Sequence, residues 1–150
     1  MEKLLYITKR ILELNPKTSL TGTLMLKLRG IDLGREPKDI DILKSDTPIK
    51  LKFPSYWNKH IKIIGRASDG SGIKYKYKSI IIDVIGTAEE PELIQGIRCG
   101  TLKGLIDAKY LYSHQENESS FKHYSDLVKL GYKFPDNKTL VLNDEDELPF

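Results

Sequence analysis

The chain has 150 residues, of which 39% are hydrophobic and 30% charged, and its formal net charge is +3. This composition excludes a disordered chain, and the length predicts one domain spanning residues 1–150. The longest aliphatic run, SIIIDVIG, is too short to cross a bilayer and contains an aspartate, so no membrane segment is expected.

The N-terminal segment MEKLLYITKRILELNP is amphipathic and has no small-residue cleavage site after an apolar stretch. It therefore predicts a helix and not a secretion signal. The single cysteine, Cys99, cannot form an intramolecular disulfide, and no Cys/His spacing typical of zinc sites surrounds it. Both features lead us to expect a cytoplasmic protein.

Charge is unevenly distributed along the chain. Residues 44–78 contain nine Lys or Arg against two Asp, whereas the tail 136–150 contains one Lys against five acidic residues. Such a basic segment attracts polyphosphates or nucleic acid, and a solvated surface explains it equally well. Within it, Lys74, Lys76 and Lys78 alternate with tyrosines, a pattern typical both of single-strand binding and of strand edges protected against aggregation.

The first part of the chain predicts a helix, a strand and a second helix. Apolar residues recur at helical spacing until Pro16 ends the first helix. The short segment TSLTG predicts a buried strand that turns at Gly22, and TLMLKLRG predicts a helix that closes at Gly30.

The central and C-terminal parts predict further strands and two helices. DIDILK alternates with period two, and a turn of helix is expected near Tyr56 and Trp57. The stretch IKIIGRASDGSGIKYKYKSIIIDVIG predicts two strands around the turn SDGSG, the second unusually long. TLKGLIDAKYLYSH and SSFKHYSDLVKLGY predict helices joined by the polar QENE. Five apolar residues of the last helix are expected in the core: Phe121, Tyr124, Leu127, Val128 and Leu130.

Three carboxylates, Asp39, Asp41 and Asp83, each stand among aliphatic residues on predicted strands. Any one alone is explained by a strand end that faces solvent or caps a helix. If the two strands are neighbours, the carboxylates converge, and closely held like charges need a cation to stay ionised. Carboxylate oxygens in this number suit Mg²⁺, which keeps several waters and completes its shell with substrate phosphates.

The segment LTGT, one helix upstream, fits the same chemistry. A strand that turns at Gly22 into a helix starting near Thr23 presents backbone N–H groups, a hydroxyl and the positive end of the helix dipole to a phosphate. Gly-Thr alone is a weak signal, and its value lies in its position before Asp-Ile-Asp.

These motifs resemble the signature of the nucleotidyltransferase superfamily. LTGTLMLKLRGIDLGREPKDIDIL is similar to its Gly-Ser or Gly-Thr, helix, loop and Asp-x-Asp pattern, and IIIDVIG to its strand with the third carboxylate. The likeness is strongest to minimal, polymerase-beta-like members akin to the AbiEii-type toxins of bacteria and phages. It covers residues 19–130 and implies an α+β fold. That fold has a small mixed β-sheet, an N-terminal helix, a helix after the Gly-Thr turn and two C-terminal helices.

The resemblance also implies roles for these residues. Asp39 and Asp41 would hold two Mg²⁺ ions, and Asp83 would bind the catalytic ion and accept the proton of the acceptor hydroxyl. Gly22 and Thr23 would cradle the β and γ phosphates of a nucleoside triphosphate.

Later helices of the resembled proteins carry a lysine and a basic-x-x-x-Asp element. Here IDAKYLYS supplies Lys109, and KHYSDL supplies Lys122, His123 and Asp126. The resemblance implies that Lys109 binds the triphosphate. A solvent-exposed lysine on an amphipathic helix explains this residue equally well.

The chain departs from the resembled pattern in two ways. Thr23 stands where serine is commoner, and it keeps the hydroxyl. The stretch 22–39 is longer than in the most compact members, and Arg29, Arg35 and Lys38 within it are either substrate contacts or solvating loop charges.

The implied reaction transfers a nucleoside monophosphate from a nucleoside triphosphate to an acceptor hydroxyl, with pyrophosphate leaving. No motif selects among RNA, another nucleic acid, a protein side chain or a small molecule such as an aminoglycoside as the acceptor. If the chain is toxin-like, an antitoxin partner is expected. The alternative is a non-catalytic module on the same fold that binds nucleic acid or a partner protein through residues 44–78.

Overall fold

The computed structural model of the chain describes residues 1–114 and 120–132. They fall into two compact units, one comprising Met1–Leu102 and the other beginning at Lys103. The single domain over residues 1–150 stays a prediction. The QENE linker and the acidic tail lie outside the described residues.

The first unit is built on a seven-stranded mixed sheet. Its strand order is β3-β4-β5-β2-β1-β7-β6, with β2–β5 and β1–β7 parallel and the other neighbours antiparallel. The elements of the chain are α1 (Glu2–Leu14), β1 (Thr18–Thr21), α2 (Gly22–Leu28), β2 (Ile40–Lys44), a 3₁₀ helix (Ser55–His60), β3 (Ile61–Arg66), β4 (Gly72–Tyr77), β5 (Ile80–Gly86), β6 (Glu92–Ile94), β7 (Ile97–Cys99), α3 (Leu102–Ser113) and α4 (Ser120–Lys129).

This architecture confirms the α+β fold with an N-terminal helix, a helix after the Gly-Thr turn and two C-terminal helices. All four residues of β1 are buried, as its apolar and β-branched composition predicted. Gly22, with φ +78°, turns the chain directly into α2, and Gly30, with φ +85°, ends that helix in the left-handed conformation typical of a helix C-terminus.

The two faces of the sheet differ in chemistry because side chains alternate along each strand. One face is apolar and buried, and includes Ile42 of β2, Val84 of β5 and Tyr75 of β4. The opposite face, which we term the carboxylate face, carries Asp41 and Asp83. The pleat of β2 therefore places Asp41 on the face opposite the buried isoleucines, as its period-two pattern predicted.

The expectation of one long second strand was wrong. A two-residue turn at Lys78 and Ser79 divides it into β4 and β5, and Tyr77 pairs with Ile80 across the turn. Lys78 adopts φ +56°, a conformation that glycine or asparagine usually supplies in such turns. Since neither residue type is present, the local sequence did not mark the turn.

Sequence patterns also missed the hairpin of β6 and β7. Its turn is formed by Gln95 and Gly96, both with positive φ, as expected of a two-residue hairpin. Arg29, at the end of α2, forms an ion pair with Glu92 of β6 and donates a 2.8 Å hydrogen bond to the carbonyl of Gly100. The hairpin is thus attached to the helix that follows the Gly-Thr turn.

In the second unit, the expected core of α4 was partly wrong. Leu127 is fully buried, whereas Phe121, Tyr124 and Val128 are exposed. These three residues lie on one side of the helix, and the buried side contains Leu127 and the polar Asp126. Within the described parts of the chain, no helix is long and apolar enough to cross a membrane.

Candidate active site

The site begins at the junction of β1 and α2, where glycine is required. A Cβ built on Gly22 would lie 2.1 Å from Oδ2 of Asp41 and 2.9 Å from its Cγ. Only a residue without a side chain lets the backbone come this close to the carboxylate. The Gly-Thr turn and Asp41 of β2 are therefore packed together.

Strand register places the second carboxylate beside the first. Asp41 of β2 is the Cα partner of Asp83 in the parallel strand β5, and its partner on the other side is Thr21 of β1. Because adjacent strands lie about 4.8 Å apart and register partners project to the same side, Asp41 and Asp83 share the carboxylate face. The two aspartates are half-buried.

Asp39 lies just before β2 and is exposed. The alternation had predicted that Asp39 is part of the strand, and this was wrong. Its charge nevertheless acts on Asp83. Burial raises the pKa of Asp83 above the ordinary 3.8, the nearby Lys74 opposes this shift, and the negative charge of Asp39 adds to it. The raised pKa makes Asp83 more inclined to hold a proton than an ordinary aspartate.

Lys74 lies beside Asp83, a position that the sequence did not predict. It is the cross-strand partner of Asp83 in the antiparallel β4–β5 pair. Placing the two side by side requires the turn at Lys78 and Ser79, which has no glycine or asparagine signal. The order along the carboxylate face is Thr21, Asp41, Asp83, Lys74.

Asp41 and Asp83 offer carboxylate oxygens to a divalent cation. Among residues 1–114 and 120–132, no three Asp, Glu, His or Cys side chains form a group that could hold a metal ion by themselves. Mg²⁺ commonly uses only one or two protein carboxylates and completes its shell with water and substrate phosphates. The neighbouring Asp41 and Asp83 fit that requirement in their chemistry, and the three-carboxylate ligand set stays a prediction.

The loop before β2 contributes a cation to the Gly-Thr turn. The Arg35 guanidinium donates a 3.3 Å hydrogen bond to the hydroxyl of Thr23. The side chain of Thr21, which precedes α2, makes no capping hydrogen bond to the start of that helix. The guanidinium of Arg29, in contrast, contacts Glu92 and the carbonyl of Gly100. Of these two arginines, Arg35 is the one beside a predicted phosphate-binding residue.

The second unit contains the predicted lysine. Lys109 of α3 is buried, and its Nζ lies 2.8 Å from Oδ2 of the buried Asp126 in α4. The sequence had selected both residues without pairing them. The ring of His123 contacts Tyr112 at 5.1 Å between centroids, and Lys122 is exposed. The solvent-exposed alternative for Lys109 is therefore wrong, and its binding to nucleotide stays a prediction.

The chain was compared with protein families, curated proteins and solved structures. No protein-family model and no curated protein matches the chain. Solved structures do match. JHP933 from Helicobacter pylori is 19% identical with a TM-score of 0.53, and the match covers 84% of this chain and 62% of that one. A candidate nucleotidyltransferase from H. pylori is 19% identical with a TM-score of 0.52, covering 84% and 64%.

A third match is ANT(2″)-Ia in complex with adenylyl-2″-tobramycin, which is 14% identical with a TM-score of 0.55, covering 87% of this chain and 91% of that one. This chain thus spans less than two thirds of the length of the two H. pylori chains. The protein has the fold of nucleotidyltransferases, which confirms the fold implied by the sequence resemblance. The AbiEii-like subtype stays a prediction.

Proposed function

We propose that the protein is a metal-dependent nucleotidyltransferase that moves a nucleoside monophosphate from a nucleoside triphosphate to an acceptor hydroxyl. The main support is the register that makes Asp41 and Asp83 neighbours on parallel strands, next to the glycine turn at Gly22. The nucleotidyltransferase fold of the matching structures adds to this support. Fold alone does not define activity, so the proposal depends on the site.

The triphosphate binds at the β1–α2 junction. Backbone amides after Gly22 and the hydroxyl of Thr23 donate hydrogen bonds to the β and γ phosphates. Arg35, which contacts that hydroxyl at 3.3 Å, adds a charge-assisted contact to the terminal phosphate oxygens. Since α2 has only seven residues, these specific donors contribute more than the helix dipole.

In the transfer step, the acceptor oxygen forms a bond to the α-phosphorus, and the bond between that phosphorus and the bridging oxygen to the β-phosphate breaks. Pyrophosphate leaves, and the proton of the acceptor hydroxyl passes to a carboxylate oxygen of Asp83. A raised pKa makes Asp83 a better proton acceptor than an ordinary aspartate. Two Mg²⁺ ions, held by Asp39, Asp41 and Asp83 when bound, would neutralise charge on the phosphates and acidify the hydroxyl.

Lys109 is assigned to nucleotide binding on the strength of the sequence resemblance. Its buried pairing with Asp126 supports a fixed position for the ammonium group, because a buried charge is held firmly by its hydrogen-bonded partner. In this proposal Asp126 orients Lys109 for nucleotide binding.

The biological setting remains part of the proposal. We infer a cytoplasmic enzyme, from a bacterium or a phage, with an antitoxin partner if the AbiEii likeness extends to function. ANT(2″)-Ia was solved in complex with adenylyl-2″-tobramycin, so a small molecule is one of the acceptor classes to be tested. RNA, another nucleic acid and a protein side chain are the other acceptor classes that the sequence left open.

The proposal is tested by the position of the transferred label. The protein is incubated with Mg²⁺, cell extract and each nucleoside triphosphate, labelled with ³²P at either the α or the γ phosphate. We expect label in a product only from the α position, and none with Asp41→Asn or Asp83→Asn. Asp69→Asn is the matched control, because Asp69 lies in the β3–β4 turn and accepts a hydrogen bond from the Ser71 amide.

Transfer of the γ label would indicate a kinase and contradict the proposal. So would α-label transfer that is unchanged in both strand variants. If no label is transferred but nucleic acid binds, the non-catalytic module becomes the better account.

A further inference from the structure

The carboxylate face continues past Asp83 as a row of lysines. Lys74 on β4 is the partner of Asp83, Lys76 is the partner of Ile81, and Lys62 on β3 is the partner of Lys76. We term Lys62, Lys74 and Lys76 the lysine row. All three are exposed and lie on the same side of the sheet as the aspartates, because register partners share a face.

Two features of the lysine row distinguish it from solubility charges. Lys62 and Lys76 are directly opposite each other on an antiparallel pair, and like charges in that position destabilise a sheet. Lys74 and Lys76 lie on β4, which is flanked by β3 and β5, so they do not protect an open strand edge. The sheet therefore carries an unfavourable concentration of positive charge next to its carboxylates.

A bound polyanion would relieve this repulsion. Lys62 lies two strands from β5, about 10 Å across the sheet, and Lys74 and Lys76 are about 7 Å apart along β4. These spacings suit an extended chain of phosphates that passes over the lysine row. An acceptor with many amino groups, such as an aminoglycoside, would be repelled by the same row.

We propose that the acceptor is a single-stranded nucleic acid whose backbone phosphates bind Lys62, Lys74 and Lys76 and whose terminal hydroxyl lies at Asp83. This inference rests on the proposed nucleotidyl transfer and names its acceptor class. The acceptor hydroxyl belongs to the sugar at the end of the strand and is uncharged, so the carboxylates do not repel it. The preceding phosphates are negatively charged and are attracted by the lysines.

Binding is measured by fluorescence anisotropy with a labelled single-stranded RNA of mixed sequence and a DNA of the same sequence, over a range of KCl concentrations. Each lysine–phosphate contact to a single strand contributes about 0.7 to the slope of log affinity against log salt. We expect Lys62→Gln/Lys76→Gln to weaken binding and to lower the slope by about 1.4. The control Lys3→Gln/Lys9→Gln removes the same charge from exposed positions of α1 and should leave the slope unchanged.

The binding result is independent of catalysis. Asp83→Asn should bind the oligonucleotide at least as tightly as the wild type, since it removes a negative charge beside the lysine row. Equal slopes for the wild type and the Lys62/Lys76 variant would overturn the inference, even if α-label transfer succeeds. Binding of polyglutamate with the same dependence on both lysines would also overturn it, because it would indicate an acidic protein as the occupant.

Discussion

The α-carbon of Gly22 and the carboxylate of Asp41 are in such close contact that a Cβ at position 22 would lie 2.1 Å from Asp41 Oδ2. Gly22 also has φ +78°, which L-residues with side chains rarely adopt. The contact links the end of β1 to β2 at the point where the site is formed. It explains why a glycine, and not simply a small residue, precedes Thr23.

We expect Gly22→Ala to destabilise the fold by about 2–5 kcal/mol, from backbone strain plus the collision with Asp41, and to abolish transfer. Gly30→Ala is the matched control. Gly30 has φ +85° but nothing within 4 Å of its Cβ position, so only the strain of about 1–2 kcal/mol applies. Urea unfolding of both variants measures the difference.

The collision is isolated by a second substitution. In Gly22→Ala/Asp41→Ala the carboxylate is gone, so the double variant should be more stable than the sum of the single effects indicates. Equal losses in Gly22→Ala and Gly30→Ala would show that the close contact has no energetic consequence.

Asp83 should be destabilising at neutral pH when no metal is bound. Burial, and then the charge of Asp39, raise its folded-state pKa against the opposing effect of Lys74. Its contribution to stability is therefore full below the unfolded pKa and is lost as the pH rises through the folded pKa. We expect Asp83→Asn to melt a few degrees higher than the wild type at neutral pH in a chelating buffer, while losing transfer.

The pH dependence of the two melting temperatures is the control for this prediction. The advantage of Asp83→Asn should disappear below the ordinary carboxyl pKa of 3.8, where Asp83 is protonated. Lys74→Gln should lower the melting temperature of the wild type at neutral pH and have a smaller effect in the Asp83→Asn background. A lower melting temperature for Asp83→Asn at neutral pH would contradict the raised pKa.

Arg35 and Thr23 should act together in nucleotide binding. We expect Arg35→Gln to raise the dissociation constant of an unreactive triphosphate analogue by about 10–100-fold, the loss typical of a hydrogen bond to a charged group. Thr23→Ser should bind as the wild type does and Thr23→Val should bind weakly. Arg10→Gln is the control, because Arg10 pairs with Glu13 on α1. Unchanged affinity in Arg35→Gln would remove this arginine from the site.

Substitutions in the buried Lys109–Asp126 ion pair distinguish a structural role of Lys109 from a role in nucleotide binding. Lys109→Met removes the buried ion pair with Asp126 and should cost about 3–5 kcal/mol in unfolding free energy. The double variant Lys109→Met/Asp126→Leu should regain most of that stability, as measured by denaturant unfolding. If Lys109 also binds nucleotide, the double variant should still bind the analogue weakly. Full recovery of binding would make the pair purely structural.

The sequence predicted the central geometry well because strong local rules apply there. Period-two alternation placed Asp41 opposite the buried isoleucines of β2, and a glycine marked the turn at Gly22. The aliphatic composition of β5 predicted a buried strand interrupted by Asp83. The sequence did not show that β2 and β5 are neighbours. The convergence of the carboxylates was expected only on that condition, which the pairing of Asp41 with Asp83 meets.

Other features could not be predicted because they depend on contacts distant in sequence. The lysine beside Asp83 required a turn at Lys78 that lacks the usual residues. The orientation of α4 was misjudged because its buried side includes Asp126, whose partner Lys109 lies on another helix. A hydrophobic pattern alone does not reveal that a charged residue is buried with its counter-ion.

The central claim is that Asp41 and Asp83 act on one bound metal–nucleotide complex. It is tested most directly by the Mg²⁺-dependent rise in melting temperature with an unreactive triphosphate analogue, in a double-mutant cycle of Asp41→Asn and Asp83→Asn. We expect each single variant to lose most of the rise, and the double variant to lose no more than either. Full stabilisation in either single variant, or strictly additive losses, would contradict the claim.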